Sequence, residues 1–108
     1  MAWMEFSADG HAPDDQAAIR ILSAQLSLTR RQAEVLHWVA EGKSNDEIAT
    51  ILGCSINTVK AHLKDIFRHL GLHSRTAAAA SAYRAHIYHA RGHPALPARV
   101  IPERGPRT

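Results

Sequence analysis

Five residues in one stretch of the chain, Asn57, Lys60, Ala61, Lys64 and Arg68, recur at intervals of three and four. On a helix that spacing lays an amide, a methyl group and three cations along a single stripe. Such a stripe suits a polyanion. Lysine and arginine reach guanine edges or phosphate oxygens, a slim helix fits the major groove of duplex DNA, and free N–H groups at a helix start hold a phosphate. The same stripe also solvates an ordinary surface helix, so its meaning depends on the elements around it.

Other reactive side chains promise less. Of the eight histidines, His86, His89 and His93 fall three and four apart, a spacing that presents imidazoles to Zn²⁺. Pro94 follows at once and neither cysteine nor carboxylate joins them, so a surface or tail cluster is expected, with no metal and no other cofactor. Partial protonation of these rings near neutral pH only adds positive charge. The single cysteine, Cys54, reads as a small packing residue rather than a redox sensor, and it cannot form an internal disulfide. The chain has no glycine-rich phosphate loop, nucleophile elbow or paired-carboxylate spacing, so it is not read as an enzyme.

The stripe needs a helix to carry it. Ser55 is a cap, and the segment from about 55 to 70 continues to Gly71, a left-handed stop. Val59, His62, Leu63, Ile66, Phe67 and Leu70 form the opposite, apolar side. Just before it, Ser44 with Glu47 opens a short helix that turns Ile48, Ala49 and Leu52 inward and ends at Gly53. Only Gly53, Cys54 and Ser55 separate the two helices, which is the tight turn of a helix-turn-helix unit.

Flanking elements complete the domain. Thr29 and Gln32 form a capping box, Ala33, Leu36, Val39 and Ala40 make the core stripe of the helix it opens, and Gly42 ends that helix. Ser74 or Arg75 starts a last helix through Ala77 to Ala80 and on to about His89. Ahead of the domain, Asp15 is a cap for Gln16 to Leu26, where Ala18, Ile19, Leu22 and Leu26 share a face. That face needs a partner, either the domain or a second copy. After Arg91, Pro94, Pro97, Pro102 and Pro106 argue for an extended, disordered basic tail.

Size and composition agree with one all-α core. The 108 residues hold no internal repeat, and 6% aromatics with an alanine-rich middle favour helices. Boundaries fall at 1–27 for a mobile lead-in and short helix, 28–89 for the domain and 90–108 for the tail. The net charge of +3 is unevenly spread. Glu5, Asp9, Asp14 and Asp15 against Arg20 make the start acidic, whereas Arg84, Arg91, Arg99, Arg104 and Arg107 against Glu103 make the end basic. With no signal peptide and no apolar stretch of membrane-spanning length, the chain is read as cytoplasmic, with no membrane partner.

The linked motifs resemble the LuxR (GerE) family of bacterial helix-turn-helix regulators. Leu28 to Leu36 is similar to the family's opening, and Glu41 to Ala49 to its second-helix entry. Leu52 to Ser55, Thr58 to His62 and Leu70 to Thr76 then follow in the family's order, so the resemblance covers over half the chain. Sigma-factor promoter-reading domains share the opening and Thr58-Val59-Lys60, but the segment through Ser74, Arg75 and Thr76 resembles LuxR proteins instead.

The resemblance implies a four-helix domain of LuxR type that binds double-stranded DNA sequence-specifically as a transcriptional regulator. Lys60, Ala61 and Lys64 would then face base edges, and Ser44, Asn57, Thr58, His62 and Arg68 would lie along the phosphate backbone. Val59 belongs to the core, and Ala61 contacts a thymine methyl or nothing. Glu34 matches an acidic position expected to make a structural ion pair. A homodimer would form through helix 74–89, at Ala77, Ala80, Ser81, Tyr83 and Arg84, with Tyr83, Ile87, Tyr88 or the N-terminal helix adding area. Otherwise Ala78, Ala82 and their neighbours only pack the monomer. Half-sites would lie about 10 bp apart. The 27 residues before the domain are too few for a phosphoacceptor or sensor, which implies control by abundance or by a partner, RNA polymerase or a longer regulator among them. The alternative is a truncated family member that pairs with a longer LuxR-type regulator and inhibits it.

Overall fold

The computed structural model describes residues 13–93, and within them every regular element is helical: α1 (Pro13–Leu26), α2 (Arg30–Ala40), α3 (Asn45–Leu52), α4 (Ile56–Leu70) and α5 (Arg75–Ala90). The prolines of the expected tail lie outside the described residues.

Local capping chemistry explains where the helices begin. The Thr29 hydroxyl accepts from the Gln32 amide at 3.1 Å while the Thr29 N–H donates to the Gln32 side chain at 3.0 Å. Ser44 and Glu47 repeat this box at 3.2 and 2.8 Å. Ser55 and Ser74 each accept from the amide three residues on, at 3.1 Å in both cases. Each contact satisfies a first-turn donor that has no partner inside the helix.

The first helix starts earlier than its sequence signals suggest. Pro13 occupies its first turn, where a missing N–H costs nothing, so Asp15 lies inside the helix rather than capping it. At its other end Ser27 adopts a left-handed φ of 57° without being glycine. Two contacts hold that strained turn: the Leu28 amide donates to the Ser23 carbonyl at 3.1 Å, and the Ser23 hydroxyl donates to the Leu28 carbonyl at 2.7 Å.

Packing centres on α2. It touches the other four helices, and seven consecutive residues, Ala33 to Val39, are buried. The expected stripe was narrower and displaced: Ala40 is exposed, whereas Val35, His37 and Trp38 are buried. A helix surrounded on most sides has no single inner face for periodicity to reveal. The face of α1 finds its partner here as well. Ile19, Leu22 and Leu26 enter the same core as Leu36, Ile48 and Val59, with α1 lying against α2 and α5.

Polar contacts lock these helices at long sequence range. The buried His37 ring of α2 meets the Asp15 carboxylate of α1 at 2.9 Å. Gln25, also buried, donates to the His93 carbonyl beyond α5 at 3.2 Å. The His69 ring on α4 lies 3.0 Å from the Leu26 carbonyl. A buried polar group without such a partner costs about 1–3 kcal/mol, so the His37 and Gln25 contacts favour one arrangement of the helices over others.

Candidate nucleic-acid interface

Helices α3 and α4 are joined by a turn that only a left-handed residue allows. Gly53 has φ 69°, and the Cys54 amide bonds back to the Ala49 carbonyl at 3.0 Å. Ser55 then starts α4. Arg31 braces the junction from α2, with one nitrogen 2.7 Å from Glu34 and another 3.5 Å from the Leu52 carbonyl at the end of α3. Arg30 holds the second Glu34 oxygen at 3.3 Å. Glu34 is thus the structural ion pair expected of it.

α4 divides cleanly into two faces. Val59, Leu63, Ile66 and Leu70 are buried, with Phe67 half-buried beside them. Asn57, Thr58, Lys60, Ala61, Lys64 and Arg68 are exposed, and His62 is half-buried at the edge. No ion pair involves Lys60 or Lys64 among the described residues, whereas Arg68 bonds Asp65 at 3.1 Å. Two unneutralised ammonium groups therefore stand one turn apart beside a small methyl.

The helix start adds to this positive character. α3 has Asp46 and Glu47 in its first turn, whereas α4 has no acid in its own, so the N–H ends of α4 are not offset by carboxylates. The Thr58 and Ser55 hydroxyls lie 3.0 Å apart beside those amides.

Ser44 is exposed at the start of α3. Its amide holds the Glu47 carboxyl below the ordinary carboxylate value, with its hydroxyl and Lys43 acting the same way. Arg75 fixes this corner from α5. Its guanidinium donates to the Asn45 side chain at 2.8 Å and to the Lys43 carbonyl at 2.7 Å. From its local context Arg75 reads as a candidate helix opener within the LuxR-like segment Leu70 to Thr76. No local signal could reveal a contact that spans 30 residues.

On α5, Ala80, Tyr83 and Arg84 are exposed, Tyr83 by 70%, and Ala77 is half-buried. Ser81, expected on the same outer surface, is buried, and its hydroxyl accepts from Arg84 at 3.4 Å. Ala78 and Ala82 are fully buried in the monomer core. His86 and His89 stay on α5, while the His93 ring packs against Tyr88 with centroids 4.6 Å apart. Among the described residues, no three histidine, cysteine or carboxylate side chains gather as a metal site, and no helix is long and apolar enough to cross a membrane.

Comparison with known proteins matches the amino-acid sequence of these helices to a family. A family model described as bacterial regulatory proteins, luxR family, matches residues 26–82. The transcriptional regulatory protein LiaR of Bacillus subtilis is 46% identical over 61 residues, 56% of this chain and 29% of LiaR. The nitrate/nitrite response regulator protein NarP of Escherichia coli is 47% identical over 51 residues, 47% of this chain and 24% of NarP. The quorum-sensing regulator RhlR of Pseudomonas aeruginosa is 42% identical over 62 residues, 57% of this chain and 26% of RhlR. The chain thus spans less than a third of each of these relatives. No solved structure matches it significantly.

Proposed function

The chain belongs to the LuxR family of bacterial regulatory proteins, and from that premise we propose that it regulates transcription by reading double-stranded DNA with α4 in the major groove. The observation that carries the reading is the division of α4, with its apolar face buried and Asn57, Lys60, Ala61, Lys64 and Arg68 left in solvent. Lys60, Ala61 and Lys64 meet base edges, while Asn57, Thr58, His62, Arg68 and Ser44 follow the phosphates. Lysine is a donor for guanine O6 and N7, and N-terminal amides of a helix suit a phosphate.

The reading includes a homodimer through the outer face of α5, at Ala77, Ala80, Tyr83 and Arg84, with Ile87 and Tyr88 adding apolar area. Alanines contribute little at about 25 cal/mol per Å², so the tyrosines carry most of the contact. Ser81 contributes from beneath, by orienting Arg84.

Binding measured across a salt series tests the assignment. Wild type should lose affinity steeply as salt rises, and Lys60→Ala/Lys64→Ala should flatten that slope and cost ~1–3 kcal/mol per lysine. Equal and weak binding by both proteins would overturn the DNA-reading function.

A further inference from the structure

Four large apolar side chains are exposed among the described residues: Ile56, Tyr83, Ile87 and Tyr88. The last three share α5 and are absorbed by the dimer surface proposed above. Ile56 stands apart. It is the first residue of α4, directly after the Ser55 cap, and keeps 39% of its surface in solvent.

Ile56 belongs neither to the core cluster nor to the half-buried residues packed against it, and helix formation does not call for an isoleucine at this position. α4 buries Val59, Leu63, Ile66 and Leu70, and the half-buried Ile51, Cys54, Phe67 and Leu72 fill the margins of the core. At a first helical position proline pre-sets φ and an acid complements the helix dipole, whereas a β-branched chain does neither. What remains is what the side chain can meet outside the monomer.

Ile56 heads the row that continues through Lys60 and Lys64 at intervals of four. It therefore sits at the end of α4 whose residues contact base edges when such a helix lies in the major groove. Base edges there offer hydrogen-bond donors and acceptors and one apolar group, the C5-methyl of thymine. We infer that Ile56 is a specificity-determining residue that selects a thymine, through its methyl group, at one position of the DNA half-site; this rests on the DNA-reading function proposed above. An isoleucine makes no hydrogen bond, so it discriminates only by removing that methyl from water. Ala61 lies five residues further on, roughly 7.5 Å along the helix axis, so the two side chains meet different parts of the groove.

The test starts with the full chain and a pool of random duplexes, from which the preferred half-site is selected. Each thymine of that site is then replaced by uracil, which removes only the methyl group. At one position wild type should bind the uracil duplex about fourfold more weakly, the worth of burying one methyl-sized group. Ile56→Ala should bind thymine and uracil equally at that position and keep every other preference. Ile56→Thr, which keeps the branched shape, should retain part of the discrimination. Both variants should melt cooperatively, within a few degrees of wild type, since Ile56 is not part of the core cluster. If wild type binds and Ile56→Ala discriminates as strongly as wild type at every thymine, Ile56 does not read the methyl and the DNA-reading function stands. If wild type shows no salt-dependent binding to any duplex, both readings fall.

Discussion

α2 and α4 both carry charge, and they use it in opposite ways. On α2, Glu34 and His37 turn inward and are paired: Glu34 is only 7% exposed and holds the two outer arginines Arg30 and Arg31, and His37 is 5% exposed against Asp15. On α4, Lys60 and Lys64 turn outward and have no ion pair among the described residues. A buried charge is tolerable only with a partner, so it becomes part of the scaffold. An exposed cation without a partner adds little to folding and stays available to an external anion. The contrast separates residues that hold α4 in place from residues left free for the DNA reading proposed above.

The largest effect should come from the outward charges, and on binding alone. Lys60→Ala/Lys64→Ala is expected to lower DNA affinity by about 2–6 kcal/mol in total while moving folding stability by less than about 0.5 kcal/mol. A comparable loss in denaturant titration would mean that these lysines belong to the scaffold after all. The inward charges should behave in reverse. Glu34→Gln keeps the shape but removes the charge that both arginines bond, at an expected cost of about 1–2 kcal/mol of stability, the half-exposed guanidinium groups keeping it modest. Urea unfolding would detect it; an unchanged midpoint would remove Glu34 from the scaffold.

Smaller still is the cap that joins the two roles. Ser55→Ala deletes the acceptor for the Thr58 amide and should cost about 1 kcal/mol, with faster amide exchange confined to the first turn of α4. Uniform exchange across the domain would show that the turn is held by the core instead.

The smallest effect is a dependence on pH. Burial holds the His86 imidazole below its ordinary value of 6.5, and the neighbouring His37 and His89 act the same way against the opposing pull of Glu41. The folded protein thus favours the neutral ring while the unfolded chain takes up a proton near 6.5. This contribution is complete above that pH and is lost as pH falls towards the lowered folded value. Thermal melts from about pH 7.5 to 5.5 should show a falling midpoint, and His86→Gln should make the fall shallower. An identical fall in the variant would assign it to other groups.

Much of this division was legible in the chain itself because it is written locally. Thr29 with Gln32, Ser44 with Glu47, and Ser55 announce helix starts through contacts only three residues long, and Gly53 announces the turn between α3 and α4. The two faces of α4 follow from spacing alone, since one side of that helix meets the core and the other meets water. Periodicity was less informative where a helix is enclosed or uniform. α2 buries seven successive residues, so a spacing of three and four draws Ala40 inward, where the structure exposes it, and does not mark the buried His37. α5 carries alanine on nearly every side, which left Ser81 and Ala80 indistinguishable until packing buried one and exposed the other.

By itself, then, the sequence determined where α2 to α4 begin, how α3 meets α4 and which cations point away from the core, because capping, left-handed turns and amphipathic spacing act within a few residues. Only the tertiary structure decided that α1 packs on α2 and α5, that Asp15 meets His37, that Gln25 meets His93 and that Arg75 steadies the start of α3. Those contacts join residues 22, 68 and 30 positions apart. Their partners are chosen by which surfaces the collapsed core brings together, and no local pattern carries that information.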